Sequence, residues 1–249
     1  PRDIATVPGL AVTAVCIPAR EVGGDYYEFI RLGDQRLGVL VADVSGKGTS
    51  AAFYMAELKG LILSLGQIYQ SPKQLLIEVN RTIAAHIDDR SFITMIYAVV
   101  DLEERTLTYA RAGHTPLIYL SPAAAEVSAQ VLTPNGLVVG LNLEGFATKF
   151  EELLEEHILP IRQGDVAVLF TDGITESMNE ESDLFGEDRL SQLIKEHATL
   201  SSDELRERIL RDVEAFVGST DQHDDMTMVL LKIEGTPVAT GVERMASAL

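Results

Sequence analysis

The sequence predicts an α+β protein, and three observations carry that expectation. β-rich apolar runs recur along the chain and stop at Gly, Pro or Asp: Leu10 to Ile17, Tyr26 to Leu32, Leu37 to Ala42, Phe92 to Asp101, Thr106 to Ala112, Leu117 to Leu120, Val166 to Phe170 and Met226 to Ile233. Helical patterns come in two neighbouring pairs: Thr49 to about Gly66 with Ser71 to about His86, and Glu187 to His197 with Ser201 to Val217. Hydrophobic residues make up 46% of 249, enough for a sizeable core in one large domain or two small ones.

In chain order, Pro18 ends the first strand, and Arg20 to Asp25 turns into the second through paired glycines. Gly23 and Gly24 allow backbone shapes closed to other residues, which would let Asp25 approach Asp43 across the sheet. Gly33-Asp34 leads into the third strand, which ends at Asp43, and the turn Ser45 to Gly48 opens the first helix. That helix is apolar on nearly all sides, so it should be covered on more than one face. Ser71-Pro72 starts the next helix with Pro in its first turn, and His86 near its end suits the helix dipole. Leu102 to Arg105 joins two strands as a hairpin. Pro122 to Gln130 reads as a surface loop, and Val131 to Leu141 as a strand pair broken at Pro134-Asn135-Gly136. Gly145 to Ile161 is helix by propensity or strand by context. Ile174 to Phe185 is polar and Glu-rich and reads as a mobile loop. Ser201 with Glu204 has the capping-box spacing. Residues 1–235 are expected to form the functional domain, and 236–249, small and polar, a tail.

Charge narrows the function. Lys and Arg number 20 against 38 Asp and Glu, a net charge of -18. Such a chain repels nucleic acid and anionic membranes. No apolar run approaches the roughly 18 residues of a membrane helix. Cys16 is the single cysteine, so no intrachain disulfide forms; this suits a reducing, cytoplasmic compartment. Within its apolar run Cys16 reads as a small core residue.

The chemistry gathers on aspartates. Asp43 ends an apolar run at a tight turn, and Asp172 repeats that logic after Val166 to Phe170. Asp25 follows Gly23-Gly24, and Asp224-Asp225 opens the last strand. A carboxylate at a buried strand end is costly unless a cation sits on it. One such Asp is unremarkable, and Asp43 could simply cap the following helix. Several at one sheet edge would repel strongly without hard cations. All-oxygen donors point to Mg²⁺ or Mn²⁺ rather than Zn²⁺. Two such ions, about 3.5–4 Å apart, can activate water for in-line attack on a phosphate ester. The alternative is a set of unrelated caps and turns. Two superficial motifs fail. A phosphate loop would need Gly where Val41 stands and Ser or Thr where Gly48 stands. The GG[DE]EF loop of cyclic dinucleotide synthases needs a second acid where Tyr26 stands.

The stretches PAREVGGDYYEF, VADVSGKG, FITM, AGHTP, LFTDGITE and HDDMT occur in this order. Together they resemble the PPM family of metal-dependent protein Ser/Thr phosphatases, and more narrowly its bacterial SpoIIE/RsbU branch, over about Leu10 to Glu234. The resemblance implies two stacked antiparallel β-sheets flanked by helices, with a site for two Mn²⁺ or Mg²⁺ ions at one end of the sandwich. It implies that Asp43 bridges both ions, that Val44 offers its backbone carbonyl, that Asp25 binds one ion and that Asp172 and Asp224 bind the other. Asp225 is the adjacent alternative to Asp224, and the position three before Thr227 selects Asp224. Arg20 stands where eukaryotic relatives place a phosphate-binding Arg. Ser45 occupies the place where those relatives carry a His proposed as general acid. His114 is a candidate by residue type, with a structural role in its turn as the alternative.

The implied activity is hydrolysis of a phosphoserine or phosphothreonine by a dimetal-activated water. The implied substrate is a phosphorylated anti-sigma factor antagonist of the STAS type. The rival is a catalytically weak phosphatase-like module that binds and sequesters a regulatory partner. Branch members carry sensor or receiver domains ahead of the phosphatase, so the chain, which begins at Pro1, is expected to be a fragment with an upstream regulatory domain. The two helices from Thr49 to His86 are read either as plain core cover or as a movable element. As the latter, they would couple an upstream domain, or a second copy of the chain in a homodimer, to Asp43 and Val44.

Overall fold

A computed structural model describes residues 6–21, 23–46, 48–124 and 127–235. Its strands are β1 (Leu10–Ile17), β2 (Asp25–Arg31), β3 (Arg36–Val44), β4 (Ile93–Asp101), β5 (Thr106–Ala112), β6 (Leu117–Leu120), β7 (Ala129–Leu132), β8 (Glu156–Pro160), β9 (Val166–Phe170) and β10 (Met226–Ile233). Its helices are α1 (Thr49–Leu65), α2 (Pro72–Ile83), α3 (Phe146–Leu153), α4 (Asp172–Thr175), α5 (Glu187–Glu196) and α6 (Ser202–Val217). The strands form two five-stranded antiparallel sheets, ordered β2-β3-β4-β5-β8 and β1-β10-β9-β6-β7. This is the α+β class that the sequence pattern predicts and the two-sheet architecture that the family resemblance implies. Among the described residues no helix is long and apolar enough to cross a membrane.

The continuous apolar runs follow from burial on both faces. Side chains alternate along a strand, and in β3 Leu37, Val39 and Val41 enter the core between the sheets. Leu40, Ala42 and Val44 point the other way and pack with α1, α2 and α3. In β9, Ala167 and Leu169 join the inter-sheet core, whereas Val166, Val168 and Phe170 pack with α5 and α6. A strand covered on both faces has no polar face to show, so no alternation is visible in its sequence.

Local signals set the helix ends. The Ser71 side chain accepts from the Gln74 N–H, and Pro72 occupies the first turn of α2. His86 Nδ1 lies 3.1 Å from the Thr82 carbonyl, just past the end of α2. Ser201 and Glu204 form the full capping box of α6. Gly48 caps α1 with no side-chain bond, so Asp43 is not the cap of that helix.

Several expectations are corrected. α1 is covered on one face only: Phe53 is 72% and Leu63 47% exposed. Cys16 is exposed rather than in the core, because β1 is an edge strand with β10 as its one neighbour. The strand pair over 131–141 reduces to β7 and a single bridge between Ile93 and Val139. The Arg111 guanidinium takes the Pro134 carbonyl at 3.1 and 3.0 Å, and Glu155 takes the Asn135 N–H at 3.0 Å. Side chains thus supply the bonds that a partner strand would have made. Ala129 and Gln130, expected in a loop, belong to β7. The ambiguous 145–161 is helix α3 followed by strand β8. The 174–185 segment is anchored rather than loose, since Ile174 and Phe185 are buried in the core of the second sheet. The tail over 236–249 lies outside the described residues.

One test concerns β3. A Cβ at Gly38 would overlap the hydroxyl of Tyr97 and lie 2.8 Å from its ring Cζ. Tyr97 is fully buried and has nowhere to move. Gly38→Ala should therefore cost about 1–3 kcal/mol in denaturant unfolding, the usual penalty of overpacking. Among the described residues the Tyr97 hydroxyl has no hydrogen-bond partner. Tyr97→Phe, measured the same way, should leave stability unchanged or raised.

Candidate active site

The strand-end aspartates meet at one end of the sandwich. β2 begins where β3 ends, and the antiparallel register sets Asp25 directly opposite Asp43. Asp43 in turn faces Thr94 of β4. On the other sheet β9 runs out beside the start of β10, with Phe170 paired to Met228. Asp172 therefore follows β9 at the same end at which Asp224 and Asp225 precede β10.

Thr171 and Asp225 tie the two sheets together there. The buried Thr171 hydroxyl donates to Asp25 at 2.7 Å and accepts from the Thr227 N–H at 3.0 Å. Asp225, 8% exposed, accepts from the Ala19 N–H at 2.7 Å through one oxygen. Its other oxygen accepts from Gly24 N–H at 2.7 Å and, more weakly, from Asp25 N–H at 3.5 Å. Asp225 thus spends both oxygens on the backbone of the loop that carries Arg20 and Asp25. The glycines of that loop are required by contact. A Cβ at Gly23 would stand 2.7 Å from the Asp225 carboxyl carbon, and one at Gly24 would stand 2.7 Å from the Val44 carbonyl oxygen. Gly173 is equally constrained, since a Cβ there would lie 2.8 Å from the Asp225 carbonyl carbon.

The result is a cleft lined by Ala19, Arg20, Gly24, Asp43, Gly46, Asp224 and Asp225. Arg20, Asp43 and Asp224, far apart in sequence, are brought together. Burial first, then the neighbouring Asp43 and Asp225, push the Asp25 carboxyl up to about 8, against the opposing bonds from Thr227 and Thr171. Asp172 and Asp224 share a further neighbour that the motif contained but that was not singled out in it, Glu176. Its carboxyl is raised by desolvation and by those two aspartates. Among the described residues, no three Asp, Glu, His or Cys side chains are already gathered at ion-holding distances. Asp43, Asp224 and Asp225 line the cleft, Asp25 lies opposite Asp43 on the adjoining strand, and Asp172 is outside the lining. The donor set is nonetheless all oxygen and strongly anionic, with one carboxylate driven toward its protonated form by burial and like charge. That chemistry fits a hard divalent cation.

Ser45, at the place of the relatives' His, and the candidate His114 are both engaged elsewhere. Ser45 exchanges bonds with Phe92: its hydroxyl accepts from the Phe92 N–H at 2.7 Å, and its own N–H donates to the Phe92 carbonyl at 2.9 Å. His114 is buried, and burial holds its imidazole down at about 3, so it is neutral at physiological pH. Its Nδ1 lies 2.8 Å from the Thr94 hydroxyl. Arg111 donates to its carbonyl, and the neighbouring Thr115 hydroxyl donates to that of Phe170. His114 therefore has the structural role.

The fold defines the class: it is the fold of solved PP2C-type domains. The chain matches the structure of the PP2C phosphatase domain and a regulatory-domain fragment of SpoIIE from Bacillus subtilis with a TM-score of 0.75 at 20% identity, over 92% of this chain and 63% of that one. It matches RsbX, solved in complex with magnesium, with a TM-score of 0.62 at 18% identity, over 90% of this chain and 94% of that one. Within that class the chain belongs to the SpoIIE family, whose model, Stage II sporulation protein E, matches residues 33–234. Phosphoserine phosphatase RsbU of Bacillus subtilis (strain 168) is 34% identical over 223 residues, which are 90% of this chain and 63% of RsbU. The chain thus spans less than two thirds of that relative.

Two measurements probe this geometry. An amide at 225 keeps one acceptor oxygen where the carboxylate has two. Asp225→Asn should cost about 1–3 kcal/mol for the orphaned donor and speed amide exchange at Gly24 and Asp25 while the rest stays protected. Unchanged exchange there would refute the clamp. The second measurement concerns pH. Because Asp25 is raised from 3.8 to about 8, the folded metal-free protein holds that proton more tightly than the unfolded chain. Its stabilisation is complete below about pH 4 and lost as pH rises toward 8. Without divalent cations the melting temperature should fall more steeply over that range in wild type than in Asp25→Asn, and equal slopes would contradict the assignment.

Proposed function

We propose that this domain is a divalent-metal-dependent phosphatase that hydrolyses phosphoserine or phosphothreonine on a bacterial regulatory protein. The observation that carries the proposal is the convergence of Arg20, Asp43 and Asp224 on one cleft, with Asp25 opposite Asp43 on the adjoining strand. Two ions, Mn²⁺ or Mg²⁺, would be held by Asp25, Asp43 and the Val44 carbonyl on one sheet and by Asp172 and Asp224 on the other. Asp225, committed to the loop backbone, is the support of this set rather than a member. Bound divalent ions supply Lewis acidity, activating a water and neutralising phosphate charge. Arg20, exposed at the cleft, is placed to pair with phosphate oxygens, for which a guanidinium fork is suited. The loop bonds of Asp225 keep Arg20 and Asp25 in register, so that the phosphate and the carboxylates meet in a fixed geometry.

The substrate we propose is a phosphorylated anti-sigma factor antagonist of the STAS type; the relative RsbU bears the name phosphoserine phosphatase. An upstream regulatory domain is supported by the length of RsbU beyond the match and by the regulatory fragment present in the SpoIIE structure. The exposed apolar face of α1, with Phe53 and Leu63, supports its use by that domain or by a second copy of the chain. Nucleic acid and anionic membranes are poor partners for a chain of net charge -18. A catalytically weak binding module is disfavoured because Asp25, Asp43, Asp172 and Asp224 are all present and lie at the same end of the two sheets.

Asp43→Asn should lower Mn²⁺-dependent release of p-nitrophenol from its phosphate by more than about 100-fold, beyond the 10–100-fold typical of losing an outer-shell partner. Calorimetry should show weakened Mn²⁺ binding with an unchanged circular dichroism spectrum. Because ions displace protons from carboxylates, wild-type Mn²⁺ affinity should rise from about pH 6 to 8. Wild-type turnover by the variant would sink the proposal.

A further inference from the structure

A cavity of about 310 Å³ opens beside the carboxylate cleft and shares Asp224 with it. Its walls are the end of β1, the segment after α4, the last turns of α6 and the residues leading into β10. The floor is apolar: Val213 is buried, and Ile17, Met178, Val217 and Met226 are half-buried. The rim is acidic: Glu176, Glu214, Asp221 and Asp224 are all exposed. No lysine or arginine is among the described residues that line it. The wall is held in place, because the Gln222 amide donates to the Ile17 carbonyl at 2.8 Å and to the Asp224 carbonyl at 2.7 Å.

Size and chemistry select the occupant. The volume sits at the small end of the roughly 300–1,000 Å³ of ligand pockets, which suits one long side chain better than a cofactor. An apolar floor under an anionic rim fits an aliphatic stem that ends in a cation. Asp224 also lines the carboxylate cleft and Glu176 neighbours Asp172 and Asp224, so Glu214 on α6 and Asp221 are left to meet that charge. The shared Asp224 wall places the occupant next to the phosphate cleft, as a residue of the same polypeptide would be.

We propose that this cavity is a specificity pocket for a lysine or arginine that flanks the phosphorylated residue of the substrate. The proposal rests on the phosphatase reading and deepens it. The test uses phosphoserine peptides with a single lysine walked through each flanking position, each compared with norleucine at the same place, and phosphate release with Mn²⁺. At one or two positions lysine should lower KM about fivefold relative to norleucine, the upper size of an exposed ion pair, with little change in kcat. The advantage should shrink as salt is raised. In the Glu214→Gln, Asp221→Asn double variant the lysine-to-norleucine ratio should fall to about one. No lysine preference at any position, a preference for norleucine, or a preference that survives in the double variant would each overturn the pocket. If the wild-type protein with Mn²⁺ releases no p-nitrophenol from its phosphate, the phosphatase reading itself fails and the pocket falls with it.

Discussion

The Asp225 carboxylate receives backbone N–H groups from Ala19 and Gly24, residues about two hundred positions earlier in the chain. The rest of the acidic end depends on this contact. Arg20 lies on a glycine-containing loop with no strand partner of its own until β2 begins at Asp25, and such a loop has many conformations to lose on folding. A buried carboxylate with two acceptor oxygens removes that freedom, and charge-assisted bonds of this kind are about twice as strong as neutral ones. Thr171 adds a second tie, with its hydroxyl between Asp25 and the Thr227 N–H. The price is a buried gathering of like charges: burial first, then Asp43 and Asp225, raise the Asp25 carboxyl.

The division between stability and function follows the three layers of packing. Between the sheets and under the helices the side chains are apolar and fully buried. Polar side chains are held at the sandwich end, where turns leave backbone groups to be satisfied. Gly23, Gly24 and Gly173 show how tightly that end is packed: each approaches a carboxyl or carbonyl group too closely for any side chain. The scaffold can therefore absorb substitutions in its apolar layers that it cannot absorb beside the acids.

Much of this was legible in the chain. The strands were visible because runs such as Leu37 to Ala42 and Val166 to Phe170 are apolar on both faces, and the capping residues Ser71 and Ser201 marked helix starts. The aspartates stood out because carboxylates closing buried runs are expensive. What remained hidden were relations across the fold. Asp225 and Asp224 are chemically identical neighbours, and nothing local foretells that Asp225 is the one that accepts from the Ala19 and Gly24 N–H groups. Glu176 and Thr171 were within a recognised motif, yet nothing local distinguishes a hydroxyl that bonds Asp25 from an ordinary one. The exposure of Cys16 depends on β1 lying at an edge, and that of Phe53 on which neighbours α1 lacks. The 131–141 segment departs from a strand pair because the Arg111 and Glu155 side chains meet its backbone at Pro134 and Asn135.

Strand order has a consequence for how the molecule comes into being. β1 has β10 as its one neighbour, and β10 also pairs with β9. The first strand synthesised must therefore wait for the last one made before it finds a place. The sheet containing β2, β3, β4, β5 and β8 draws all its strands from residues before Ile161 and can associate while the chain is still growing. The second sheet, and with it the segment that brings in Asp224 and Asp225, closes only after β10 is complete. Asp25 is placed early by its pairing with Asp43, but the Ala19 and Gly24 N–H groups find their Asp225 acceptor only then, so the acidic end is completed last. A chain that stops short of residue 226 has the strands of one complete sheet but lacks the strand that joins β1 to β9 in the other.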